Sequence, residues 1–223
     1  TLVTLEKMIS IFKDYYEGTE FDMRKNLTVT DKDGKTVISP LANPFMKADE
    51  LKLNKINGGW HWRGERTIAV HFTVYATILQ SRNFLPDEVG PVCWFALDNV
   101  ASSIYVPLYA SITELPEEYK TDGRMTGFSK KAAWWGFNRL GTLAAKRWGE
   151  MSLVVNEAWE PMQKEMLQKQ AEVEAHAMQL MKEGKREQAI RFLTQYSNDC
   201  ANSALQKAWD TGDLIWTTFD GKW

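Results

Sequence analysis

Cysteine and histidine are the scarce residues of this chain, and their scarcity narrows its chemistry first. The 223 residues contain two cysteines, Cys93 and Cys200, and three histidines, His61, His71 and His176. Neither cysteine stands in a CxxC spacing and the histidines form no HExxH, so the pattern calls for no metal and no dithiol redox pair. Cys93 falls in an apolar strand and Cys200 on a helical stripe, so two free, buried thiols are expected. No apolar run approaches the roughly 18 residues of a membrane span. The phosphate-cradling GxxxxGK[ST], the dinucleotide GxGxxG and the GxSxG elbow are absent too, and no cofactor is expected. An excess of one charge is also missing: 27 Lys and Arg against 29 Asp and Glu leave a net charge of −2. Nucleic-acid and anionic-membrane binders carry a marked basic excess, so neither partner is expected.

Aromatic residues are abundant: ten Trp, ten Phe and seven Tyr. Large apolar rings usually end in the core, and a surplus lines interfaces or pockets. With 44% apolar and 25% charged residues the composition is that of a globular protein, and its length suits one large domain or two small ones. The chain opens TLVTLEKMIS without an initiator Met, the expectation for a processed or excised piece. No signal peptide is legible there, and the compartment is left open.

Hydrophobic spacing divides the chain into a mixed first half and a helical second half. Leu2, Leu5, Met8, Ile9 and Phe12 share one helical face, and Gly18 is placed to end that helix. Residues 24–60 are polar, and the turn signals DKDGK, SPLANPF and NGGW predict a surface excursion with one short hairpin. Period-two alternation from Thr67 to Leu79 predicts a long strand carrying His71, with a bend or bulge. Residues 92–111, VCWFALDNVASSIYVPLYAS, read as a hairpin. Its first strand, Val92 to Leu97, is apolar on both faces, and its second, Ser103 to Ser111, alternates. Beyond TELPEEY, helices are predicted over residues 129–149, 150–182 and 187–209, with Pro161 inside the second and KEGKRE joining the last two. Met162 and Met166 lie on one stripe with Val173, Ala177 and Leu180, a core pattern and not a cofactor box. The fold class expected is α+β: an antiparallel sheet and first helix over residues 1–115, and a mainly helical region over 116–223 packed on that sheet.

No complete catalytic constellation follows from the residues themselves. Asp98, Asn99 and Ser102 sit at the hairpin end, where a loop aims side chains from a rigid sheet. Asp and Asn also stabilise turns by bonding their own backbone, the plainer explanation of that cluster. Arg66 stands at the head of the long strand beside Glu65, an ordinary surface pair by itself. Thr1 has the residue type of an N-terminal nucleophile but leads into an amphipathic helix instead of a strand, which excludes it from that role.

Several segments taken in order carry a resemblance. YYEGTEFDM, NPF, ERTIAVHFTVY, LPDEVGPVCWFALDNVASSIYVPLY, ELP, AAWWGFNRL and the closing DLIWTTFDGKW together resemble the bacterial dipeptidase A family, cysteine dipeptidases of the N-terminal-nucleophile (Ntn) hydrolase superfamily. The resemblance implies an αββα sandwich that hydrolyses dipeptides. It implies a cysteine nucleophile at a mature N-terminus, whose own amine moves the proton while nearby polar groups hold the oxyanion. Neither Cys93 nor Cys200 answers to that cysteine, so the chain is expected to be the C-terminal portion of such an enzyme and inactive alone. By the same resemblance Arg66, Asp98 and Asn99 are the candidates for supporting catalytic roles. Where the family carries a basic residue after the strand His, this chain has Phe72. The partners implied are a dipeptide substrate and the missing N-terminal half, with a homo-oligomer left open. Two alternatives stand beside this: an Ntn amidase or acylase of other specificity, and a non-catalytic module binding a peptide or glycan. Exposed, aligned Trp60, Trp62 and Trp134 would favour the binding module.

Overall fold

A computed structural model of the chain describes residues 2–45 and 67–220. Arg66, Glu65, Trp60, Trp62 and Thr1 lie outside the described residues. Helix α1 spans Leu5–Phe12, shorter than its apolar spacing predicts. Thr4 caps it, accepting a hydrogen bond from the Lys7 N–H, although the sequence makes this a poor capping pair. Gly18 does not end this helix; with φ of 73° it serves a turn six residues beyond the Phe12 boundary.

The short hairpin expected within the polar excursion is strands β1 (Thr28–Thr30) and β2 (Thr36–Ile38), joined across the DKDGK turn with Gly34 left-handed. The long strand expected from Thr67 is not continuous. Residues 67–74 form bends and turns, closed by a hydrogen bond from the Thr73 N–H to the Val70 carbonyl. Strand β3 begins only at Tyr75 and runs to Gln80. His71 therefore lies in a turn and not on a strand, and Ile68 and Phe72 are about half exposed, not aligned on a buried face.

Strand β4 (Val92–Leu97) matches its sequence limits, and β5 (Val106–Tyr109) is the shorter return of the hairpin. The three strands form an antiparallel sheet in the order β3-β4-β5. Its two faces differ. Ile78, Val92, Trp94, Ala96 and Tyr109 are buried in the main core with the helices. The register places Tyr75 opposite Leu97, Thr77 opposite Phe95, and Leu79 opposite Cys93, which faces Leu108 in turn. This second face is apolar as well, but Leu79 is 76% exposed and Tyr75 60%. Strand β4 is thus apolar on both faces, as its sequence predicts, with one face against the helices and the other open.

After a single turn of helix α2 (Glu117–Lys120), the second half is helical, as expected. Helix α3 covers Ala133–Ala145, α4 Trp148–Lys182 and α5 Arg186–Asp220. Pro161 does not break α4. It is exposed, as is Glu157, whose carbonyl loses the Pro161 N–H, so water can take the missing bond. Met166, Val173 and Ala177 of α4 meet Ala189, Leu193, Cys200 and Ala204 of α5 in one core with Trp94, Trp148 and Trp159. The helical hairpin is thus docked on the sheet, and the Met stripe is core. Both thiols are free, but Cys93 is only partly buried, on the open sheet face.

One buried ionic network ties sheet to helices. The Arg82 guanidinium lies 2.7 and 2.6 Å from the two carboxylate oxygens of Glu174, and donates further to the carbonyls of Gly90 and Val89. The Tyr109 hydroxyl donates to the same carboxylate at 3.2 Å. Every charged group here is hydrogen-bonded, which is what makes its burial tolerable.

Candidate functional site

The end of β4 is where chemistry and geometry converge. Asp98 leaves the strand with φ of 61°, a left-handed conformation that only a minority of non-glycine residues adopt. Its N–H still bonds the Val74 carbonyl at 2.9 Å, so the residue is fixed to the segment that enters β3. Its carboxyl is buried and accepts a 2.8 Å hydrogen bond from the Asn138 amide of α3. Burial pushes the carboxyl up to about 6, against the opposing pull of Asn138, the Asn99 N–H and the positive charge of Arg124.

Glycine makes that approach possible. A Cβ at Gly141, one turn beyond Asn138, would lie 2.7 Å from Ser102 Oγ and 3.0 Å from Asp98 Oδ2. Without it, α3 packs its backbone directly over the hairpin end. A left-handed backbone and a buried carboxyl that ionises near neutral pH are costly together, and such features concentrate at functional sites.

Asn99 has a different task. Its side chain accepts from the Ala101 N–H and caps the 3-10 turn Val100–Ser102, as a turn-forming Asn does. Ser102 Oγ donates to the Asn99 carbonyl at 3.1 Å. The sequence puts Asp98, Asn99 and Ser102 in one cluster, and all three are buried side by side. Among the described residues, only Asp98 of the three hydrogen-bonds another element through its side chain.

The opposite side of this segment is gripped by α1 and α4. Trp159 Nε1 donates to the Ser102 carbonyl at 2.9 Å, and Lys13 Nζ donates to the Ser103 carbonyl at 2.9 Å. Gln163 pairs with both the N–H and the carbonyl of Tyr105, at 2.9 and 3.0 Å. Among the described residues, two buried hydroxyls here, Ser103 Oγ and Tyr105 Oη, have no hydrogen-bond partner.

Sequence reasoning names Asp98, Asn99 and Ser102 but misses Asn138, Gly141, Lys13 and Gln163. The segment AAWWGFNRL carries Asn138, yet nothing in its spacing says which strand it will meet. Trp134 is half-buried against Trp135, with ring centroids 4.8 Å apart, so it offers no exposed binding platform. Cys200 is buried, and burial raises its thiol to about 11; burial raises Cys93 also. Neither thiol is poised as a thiolate near neutral pH. Among the described residues, no group of three or more His, Cys, Asp or Glu is placed to hold a metal ion. Among the same residues, no helix is long and apolar enough to cross a membrane.

A rigid sheet end carrying a perturbed carboxyl, within an α+β fold, suits a hydrolase. The sequence model of peptidase family C69 matches residues 1–161, which spans the sheet, the hairpin, α3 and the start of α4. The chain belongs to this family, the dipeptidase A family, and its function is that of a peptide hydrolase. No curated protein matches the chain.

Proposed function

We propose that this chain is the C-terminal portion of an Ntn-type cysteine dipeptidase, completed by a nucleophilic cysteine carried outside it. The Asp98 carboxyl carries this assignment. It is a buried acid held by Asn138 and raised to about 6, fit to hold or exchange a proton at a site assembled on the hairpin end. Asp98 then acts as a supporting group near the reacting amide, and Asn99 fixes the turn that aims it. Arg66 is retained as the candidate cation that stabilises developing negative charge. Neither Cys93 nor Cys200 has a free α-amine or a lowered thiol, which supports placing the nucleophile elsewhere.

The half-sandwich assignment draws support from the sheet. Tyr75, Leu79, Cys93, Phe95, Leu97 and Leu108 give β3-β4-β5 an apolar second face, the surface on which a second sheet of an αββα sandwich would pack. The test is dipeptide turnover. The purified 223-residue chain is expected to give none, while the protein read from the complete reading frame hydrolyses Ala- and Leu-containing dipeptides. In that protein, Asp98→Asn and Arg66→Ala are each expected to lower kcat by at least tenfold, within the range that general acid–base and charge-stabilising groups supply. Turnover by the isolated chain refutes the placement of the nucleophile. Full activity in either variant removes that residue from the site.

A further inference from the structure

Helices α1 and α4 face each other without closing. Glu6, Ile9, Ser10 and Lys13 form one stripe of α1 and its C-cap, and α4 answers with residues from Asn156 to Gln168 at helical spacing. Between them lies a cleft of about 470 Å³, within the range of small-molecule sites. Its composition is uneven in a useful way. Leu167 supplies the accessible apolar surface, over the nearly buried Ile9 and Trp159; Lys13 and Lys164 bring positive charge, and Glu6 and Glu160 bring negative charge.

Lys13 is the unusual member. Its ammonium carries three N–H donors. Among the described residues its one hydrogen bond goes to the Ser103 carbonyl. Burial depresses the amine to about 8, against the raising effect of Glu160. A half-buried ammonium with donors to spare gains from a carboxylate brought alongside it, through a charge-assisted bond in a place only partly hydrated.

The geometry points to a binding site in this cleft for a small zwitterion, an α-amino acid with an apolar side chain, held through its carboxylate by Lys13. The aliphatic side chain lies along Leu167, and the α-ammonium turns toward Glu160. Charge of both signs beside an apolar surface matches that ligand better than a simple anion or a hydrocarbon. The site is also linked to the hairpin. Lys13, Trp159 and Gln163 line the cleft and are the same three side chains that hold the backbone of Ser102, Ser103 and Tyr105. Occupancy therefore bears directly on the segment that follows Asp98 and Asn99.

Isothermal titration of the 223-residue chain, with an amide NMR spectrum at each step, tests the site without reference to catalysis. L-Leucine is expected to bind saturably and to shift the amides of residues 102–105. L-Leucinamide, which lacks the carboxylate, and 4-methylpentanoate, which lacks the amine, are each expected to bind at least about tenfold more weakly, as loss of one charge-assisted contact implies. Lys13→Met is expected to weaken leucine by a similar factor with an unchanged circular dichroism spectrum. Leu167→Trp, which fills the cleft and leaves Lys13 alone, serves where Lys13→Met does not fold, and is expected to abolish binding. Absence of saturable leucine binding, equal affinity for leucine and leucinamide, or binding that survives Leu167→Trp overturns the site.

Discussion

Asp98→Asn is the most informative single change in this chain, because burial and function pull on it in opposite directions. The folded protein raises the Asp98 carboxyl from 3.8 to about 6, chiefly by burial. A shift of about two units corresponds to about 3 kcal/mol of stability. The sign follows from proton counting. Between pH 4 and 6 the folded state holds a proton that the unfolded state has released, so stability falls as pH rises through that window. Above pH 6 it stays at the lower level. Asparagine is neutral throughout and suits the left-handed backbone at least as well as aspartate. It also keeps an oxygen to accept the Asn138 hydrogen bond. The variant is therefore expected to equal the parent at pH 4 and to exceed it by up to about 3 kcal/mol at pH 7. Urea denaturation of both proteins across pH 4 to 8, at one protein concentration, measures the difference directly. Subtracting the two curves removes the carboxylates with the opposite slope. Glu88 is one of these, held below its ordinary value by Arg186. Asp22 is another: burial raises it, but Arg24 and backbone N–H groups prevail and lower it. A difference that stays constant with pH, or one in which the parent gains on the variant as pH rises, refutes the account of Asp98. A gain in stability joined to a loss of turnover in the complete enzyme would mark a residue retained for chemistry at the expense of the fold.

The other expectations concern how the scaffold is held. Glu174→Ala strips the carboxylate from Arg82 and leaves a mostly buried guanidinium unpaired, with the Tyr109 hydroxyl losing its acceptor. The expected loss is about 3–5 kcal/mol, read as a lower urea midpoint; a loss below about 1 kcal/mol would mean the pair behaves as a surface salt bridge. The open sheet face makes a second case. The parent chain is expected to self-associate through Tyr75, Leu79 and Phe95, and Leu79→Lys to shift it toward monomer in light scattering with its circular dichroism unchanged. A parent chain that stays monomeric as concentration rises would show that this face needs no cover.

Local patterning carries most of the architecture. The apolar stripes through Met166, Val173 and Ala177, and through Leu193, Cys200 and Ala204, mark the two long helices because each repeats at helical spacing over many turns. Val92 to Leu97 is legible as a strand with two apolar faces for the same kind of reason. The alternation from Thr67 misleads because period two states only what a strand would bury. Chain direction at Ala69 is set instead by a hydrogen bond from its N–H to the Asp14 carbonyl, far away in sequence. Gly18 misleads in a related way: a left-handed glycine serves any turn, and α1 has already ended at Phe12.

The candidate site divides along the same line between local and distant causes. Asn99 bonds within its own turn, so its role follows from residue type and position. Asp98 has the same local description, yet its character comes from α3, where Asn138 supplies the hydrogen bond and Gly141 lets the helix close over the carboxyl. Desolvation is a property of what packs against a group, and one strand's sequence holds no record of it. The Lys13 cleft follows the same rule from the other side. Lys13 looks like a solvated residue at a helix end until α4 places Trp159, Glu160 and Gln163 beside it and draws its ammonium onto the Ser103 carbonyl. The hairpin end is therefore clamped between two helical elements, with a titrating acid against α3 and a half-buried cation beside α4. Any group that changes the charge on one side acts on the segment that the other side holds.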